Sequence, residues 1–373
     1  MSRLPDRLTA MRKFITLILA ALVCIMPLAA QTQARALGAD ISWCTEMEAD
    51  GMQFYNADGQ PTDIFVLLRQ IGMNAVRLRV WANPEQRYGA WSDRADVLAK
   101  ARRAKAAGLD VLLAFHYSDY FADPGKQTKP QTWATLPFDD LKAAMVAHTV
   151  DMLQALRNEG IEPRWVQVGN ETTSGLLWPE GRIRWNEPDS VRWLNYIALS
   201  NAAYDAVKSV CPNAYVIVHH DMGRIDQTWY YTAFSKYGGK FDMIGITHYP
   251  DWDKWGEQNT LVANYLRKMH TTFRVPVMIV ETAYSNWDEP RAAMVMRDFA
   301  QKLSRAPGYA GIFYWEPEVY GGWEHWLRDD GTSQHNTGTR GAKVSGYGAF
   351  TPDGRPAEAL YVISGQPVPS GSR

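Results

Sequence analysis

From Leu37 onward the chain alternates between two patterns. Short, mostly apolar runs rich in β-branched residues are followed by longer stretches whose apolar positions recur every three or four residues. Eight runs read as strands: ALGADIS, NAVRLRVW, LDVLLAFHY, RWVQVGNE, AYVIVHHD, FDMIGITHY, VPVMIVE and GIFYWE. Amphipathic stretches such as 62–71, 94–107, 141–159 and 191–210 read as the helices between them. Gly72, Gly108 and Gly160 stand where three of these helices must stop, and glycine is the residue that closes a helix in a left-handed conformation. Eight such units in one chain predict a single α/β domain, a (β/α)8 TIM barrel. A doubly wound open sheet is the alternative, but no GxGxxG follows the first strand to support it.

Two of the runs end in glutamate: Glu171 closes WVQVGNE and Glu281 closes VPVMIVE. A carboxylate at the end of a buried strand is costly unless it finds partners or water. In a barrel, two such residues on different strands converge at the C-terminal mouth, where active sites are built. One carboxyl as acid and one as nucleophile is the pair a glycosidase needs. The plainer reading is two strand-end acids in separate salt bridges. Other strands end in polar groups as well: Arg77 and Arg79, His116 and Asp119, Asn170, His219 and Asp221, His248 and Tyr249, Trp315 and Glu316. Any one of them has a structural explanation, but seven polar strand ends on one face would each be a desolvation cost without a shared site.

Composition narrows the class. A formal net charge of −1 with interspersed signs gives no electrostatic case for nucleic acid or an anionic membrane. The 15 tryptophans offer flat faces for stacking on sugar rings, beside their use in core packing. The N-terminus reads as a signal peptide over 1–34: Arg12 and Lys13, an apolar run from Phe14 to Met26, then small residues, with Met11 the better start and cleavage near Ala30 or Ala34. The expected product is a secreted or periplasmic enzyme, free of the membrane after cleavage and monomeric. The catalytic barrel is expected over 35–365, followed by a disordered, Pro/Gly/Ser-rich tail at 366–373. Cys44 and Cys211 are expected as free, buried thiols. No cysteine cluster or HExxH suggests zinc.

GADIS, GMNAVRLRVWANP, HYSDYFADPGKQ, GNETTSGLLWPEGR, IVET and GIFYWEPE follow one another in this order. With them, nearly the whole chain beyond the N-terminal segment resembles glycoside hydrolase family 53, the endo-β-1,4-galactanases. GNE followed by GLLWPEGR, and HYSD followed by ADP, are the specific elements; GNE alone marks only a wider clan of retaining barrel glycosidases.

The resemblance implies a retaining galactanase with Glu171 as general acid/base and Glu281 as nucleophile, and galactan as the polysaccharide partner. Retention implies a carboxyl separation of roughly 5–5.5 Å. It also implies roles for the neighbours. Arg77 keeps Glu281 ionised, with Arg79 the second choice, and Asn170 donates to the sugar 2-OH. Tyr249 orients Glu281 and Trp315 floors the cleavage subsite. His116, Asp119 and Asp221 bind hydroxyls or orient neighbours. Trp178 is the leading sugar platform; Trp81, Trp91, Trp133, Trp252 and Trp287 are further candidates.

Thr247-His248 departs from the aromatic or small pair usual before Tyr-Pro, so His248 is expected to alter the cleavage subsite or its pH profile. TAYSNWDEP runs quickly into a helix and leaves no room for the acidic, metal-binding insertion of some bacterial members. No cofactor is expected. Structural calcium at Asp329, Asp330 and Asn336 is conceivable but unsupported, because calcium takes six to eight oxygen ligands. Two alternatives stay open: another retaining β-glycanase of the same clan (a mannanase or xylanase), and a catalytically silent sugar-binding barrel.

Overall fold

The computed structural model describes residues 34–84, 91–284, 289–326, 340–343 and 346–369. Residues 1–33 of the expected signal peptide, Trp287, the calcium candidates Asp329, Asp330 and Asn336, and the last four residues lie outside them.

Eight parallel strands close into a barrel: β1 (Ala36–Asp40), β2 (Ala75–Val80), β3 (Asp110–Phe115), β4 (Trp165–Val168), β5 (Tyr215–His220), β6 (Met243–His248), β7 (Val277–Thr282) and β8 (Tyr309–Trp315). Each strand pairs with its sequence neighbours, and β8 closes on β1 through Ala36↔Gly311 to Asp40↔Trp315. A helix follows each strand: α1 (Ile64–Gln70), α2 (Arg94–Ala107), α3 (Phe138–Asn158), α4 (Leu194–Val210), α5 (Thr228–Lys236), α6 (Trp255–Phe273), α7 (Glu289–Ser304) and α8 (Glu358–Ser364). The chain is a (β/α)8 barrel. Asp63 and Asp93 cap α1 and α2 by accepting from backbone N–H groups of the first turn. Gly72, Gly108 and Gly160 all adopt positive φ.

Boundaries move where local chemistry outweighs periodicity. The fourth predicted helix begins at Leu194, after a separate turn at Asp189–Arg192. Cys44 opens a short helix (Cys44–Ala49) rather than ending a strand; it and Cys211 are free and buried. The predicted tail at 366–373 starts too early. The Gln366 N–H bonds the Tyr361 carbonyl past the αL residue Gly365, and Val368 packs on the core.

The barrel interior is stratified. Its lower part is apolar: Ala36, Ala75, Leu112, Ala114, Trp165, Ile217, Met243, Met278, Val280 and Phe313 form one buried cluster. The intervening residues of each strand join a separate cluster under the helices. Following the same alternation upward brings Asp40, Arg77, Arg79, His116, Gln167, His219 and Thr247 inward, so the upper part is polar yet buried.

β7 breaks the alternation. On one side Ile279 faces Ile246 while Glu281 faces Thr247; on the other Ile279 faces Ile312 while Thr282 faces Tyr314. Against both neighbours, β7 carries one extra residue. Val280 fills the interior, and the bulge returns the very next side chain, Glu281, to the same face.

Candidate active site

Arg77 is the hub of the polar layer. Its Nη1 is 2.5 Å from Asp40 Oδ2, and its Nη2 donates to Asn170 Oδ1 at 2.9 Å and lies 2.7 Å from Glu281 Oε1. Nη2 also reaches Gln167 Oε1 at 3.2 Å. Asp40 is held in turn by the Ser42 backbone N–H and hydroxyl. Tyr249 donates its phenol to the other oxygen, Glu281 Oε2, at 3.3 Å. Arg79 does not reach Glu281. Its guanidinium lies 4.1, 4.5 and 4.4 Å from the rings of Trp43, Trp81 and Phe121, and its Nη1 is 3.4 Å from Glu316.

Glu171 sits two residues past Gly169, which follows β4, and lies in the left-handed region at φ 48°. Its backbone N–H donates to His219 Nδ1 at 3.2 Å. Nδ1 also lies 3.2 Å from Asn170 Oδ1, which already accepts from Arg77 and Gln167, so the ring proton is assigned to Nε2, which donates to Thr247 Oγ1 at 2.7 Å. The Thr247 hydroxyl is thereby free to donate to the Glu171 carboxyl. Asn170 is locked beside it, accepting from Gln167 and giving one amide hydrogen to the Ala122 carbonyl at 2.9 Å. Gln127 clamps the same turn by donating to the Asn170 carbonyl at 2.8 Å.

The two carboxyls line one cleft of about 400 Å³, with Arg77, Arg79, His116, Asn170, Tyr249, Trp315 and Tyr347 among its walls. Burial pushes both carboxyls above the usual range. For Glu171 the charge of Glu281 adds to burial, and for Glu281 the Arg77 cation opposes it. The shared proton therefore belongs on Glu171 and the charge on Glu281. His116 accepts the Ala122 N–H at Nδ1. Burial, then Arg77 and Arg79, hold it well below its ordinary pKa, so a neutral ring offers Nε2–H to the cleft. Tyr347 stacks on Tyr249 at 5.3 Å, and Trp315 meets Tyr249 edge-on at 5.8 Å, making an aromatic wall.

Other predicted residues are placed elsewhere. Asp119 does not line the cleft; its Oδ2 accepts the Gln131 N–H at 2.8 Å and ties down the β3–α3 connection. Asp221 accepts from the Thr173 hydroxyl at 2.5 Å, joining the β4 and β5 loops at the margin of the site. Trp178 carries the Arg182 guanidinium 4.3 Å from its ring and donates Nε1 to the Ser174 carbonyl. It braces its loop and does not wall the cleft.

His248 is a correction. Strand alternation turns it outward, where Nε2 meets Asn259 at 3.0 Å and its ring lies 4.8 Å from Phe299, so Thr247 is the residue that faces the site. Trp81 is buried beside Arg79, and Trp133 packs on His148. Trp91 is half-buried; Trp252 is exposed but lies flat on Tyr284. Asp40, Thr247, Gln127 and Tyr347 were not anticipated. Asp40 had a signal, as the charged end of an apolar run, and so did Tyr347, as part of the long loop that follows β8 at the barrel mouth.

The sequence matches Glycosyl hydrolase family 53 over residues 36–363. The chain belongs to this family. It is a glycoside hydrolase. Similar curated proteins include the arabinogalactan endo-beta-1,4-galactanase of Thermothelomyces thermophilus, 33% identical over 75% of this chain and 88% of that protein. The endo-beta-1,4-galactanase of Bacillus subtilis (strain 168) is 32% identical over 75% of this chain and 69% of its own length. Among solved structures, a fungal beta-1,4-galactanase superposes with a TM-score of 0.73 at 28% identity, covering 88% of this family 53 chain and 98% of its own. Among the described residues, no helix is long and apolar enough to cross a membrane.

Proposed function

We propose that this family 53 enzyme is a secreted endo-β-1,4-galactanase that cleaves the galactan side chains of pectin with retention of configuration. The observation that carries the reading is the pair of unlike carboxyls in one cleft: Glu281 against an arginine, Glu171 beside a threonine hydroxyl and repelled by Glu281. The names of its galactanase relatives support the substrate.

In the first step the Glu281 carboxylate attacks the anomeric carbon, and the glycosidic C–O bond breaks. Glu171 gives its proton to the departing oxygen. In the second step Glu171 takes a proton from water, whose oxygen attacks the same carbon and releases Glu281. A carboxyl separation of roughly 5–5.5 Å belongs to this mechanism. Arg77 keeps the nucleophile charged and Tyr249 orients it. Asn170 retains one uncommitted amide hydrogen for a sugar hydroxyl, His116 Nε2–H serves another, and Trp315 floors the cleavage subsite. Asp221 acts through the Thr173 turn, and Asp119 and Trp178 through loop rigidity. The enzyme acts as a monomer.

Reducing-sugar release from purified β-1,4-galactan, beside mannan, xylan and cellulose, tests the reading. Glu171→Gln and Glu281→Gln serve as controls. Cleavage of galactan lost in both variants is expected. Activity confined to mannan or xylan would retain the mechanism and remove the substrate. No cleavage of any glycan would favour a silent binding barrel. Proton NMR of the first-formed product anomer decides retention.

A further inference from the structure

Ten large apolar side chains are exposed among the described residues, and six of them fall between residues 185 and 229: Trp185, Val191, Leu194, Met222, Ile225 and Trp229. These belong to the connections and helix starts that follow β4 and β5, on the Glu171 side of the barrel. Trp185 is 51% exposed and Trp229 is 43% exposed, and their rings meet edge-to-face at 5.1 Å. Leaving two indoles in water forgoes much of the gain from burial, so a paired, exposed arrangement calls for an occupant.

The pair is held in place. Trp193, itself buried, packs 6.4 Å from Trp229, and the Arg192 guanidinium lies 5.4 Å from the Trp185 ring. Trp185 also lines a groove of about 440 Å³ with Ser174, Arg182, Ile183, Arg184 and Asn186. Ser174 is three residues past Glu171, in the same turn. The groove therefore borders the turn that Glu171 opens. Its wall is stiff, because the ribbon Gly175–Leu176 and Gly181–Arg182 is so close that a Cβ on Gly175 would lie 2.0 Å from the Gly181 carbonyl.

We propose that Trp185 and Trp229 form a stacking platform for the leaving part of the polysaccharide, beyond the sugar that departs from the cleft. This rests on the galactanase reading above. Glu171 protonates the departing oxygen, so the leaving chain lies on the Glu171 side; Trp315 and Tyr347 wall the other side, beside Glu281. A β-linked galactopyranose presents the C–H groups of C3, C4 and C5 on one face, an apolar patch that suits an indole. The exposed guanidinium groups of Arg182 and Arg184 add donors for its hydroxyls. A neutral chain emerging from the cleft meets both kinds of surface.

Two substrates separate this platform from the rest of the site. β-1,4-Galactan places sugars beyond the cut, whereas a nitrophenyl β-galactobioside places only its aryl leaving group there. In Trp185→Ala and Trp229→Ala, the ratio of kcat/KM on galactan to kcat/KM on the aryl substrate is expected to fall about tenfold, chiefly through KM, as lost stacking predicts. Trp229→Phe should recover most of the ratio. An unchanged ratio overturns the platform. So does a parallel loss on both substrates with a lower Tm, which would mark a structural role, or an unchanged ratio with altered oligomeric state, which would mark a protein interface. Wild-type failure on galactan would overturn the function reading instead, and the same ratio on the glycan it does cleave would still decide the platform.

Discussion

Glu281 and Glu171 are the same side chain on the same barrel mouth, in different company. Glu281 is paired at 2.7 Å with a buried arginine that is itself paired with Asp40, and it accepts from a phenol. Glu171 has a threonine hydroxyl and a neutral histidine behind it, and the charges that act on it most, Glu281, Asp221 and Asp123, are anions. Burial raises both, but one gains a cation and the other gains repulsion. On the proposed mechanism, acid and nucleophile are thus distinguished by their neighbours.

The comparison breaks most visibly if either carboxyl is removed. Glu281→Gln should lower kcat by about 10⁴-fold or more on every substrate. Glu171→Gln should do so on galactan but retain much of the first step on an aryl glycoside, whose leaving group needs no proton. Burst kinetics would record that asymmetry; equal losses on both substrates would contradict the assignment.

Arg77→Met tests the cation. It leaves Asp40 and Glu281 buried without their cation, at a cost of about 3–5 kcal/mol in chemical denaturation. Because Arg77 favours the charged nucleophile, its loss should also move the acid limb of kcat/KM to higher pH.

A third carboxyl sharpens the contrast through stability. Burial pushes Glu316 up to about 8 despite Arg79. The folded state then holds a proton that the unfolded chain gives up near 4.5. Stability from this group is therefore fullest below that value and declines as pH rises toward 8. Glu316→Gln should flatten the fall of Tm across that window. The smallest effect is expected from Thr247→Val, which removes the donor to Glu171. The acid then holds its proton more tightly, and the basic limb of kcat/KM should move to higher pH, with Tm lowered modestly because the buried His219 Nε2–H loses its acceptor.

Much of this site was legible because strand ends are legible. The apolar runs that predict the barrel also place Arg77, Glu171, Tyr249, Glu281 and Trp315 at its mouth, and all five line the cleft. Legibility ended where side-chain direction depends on something other than order. His248 looked like a site residue because it neighbours Tyr249, but the two-residue period turns it toward Phe299. Asp119 and Trp178 lie in the right loops and are spent on holding them. Tyr347 reaches Tyr249 across roughly a hundred positions of chain, a contact that follows from closure of the barrel and not from local pattern.

The extra residue in β7 has a consequence for anyone who would transplant this mouth onto another barrel. Parity of residue count, more than identity, decides where Glu281 points. A graft that copied IVET onto an unbulged strand would keep all four letters and aim the carboxylate at the helices. The transferable unit is the strand together with its irregular pairing to β6 and β8, so a designer should inherit a misalignment on purpose.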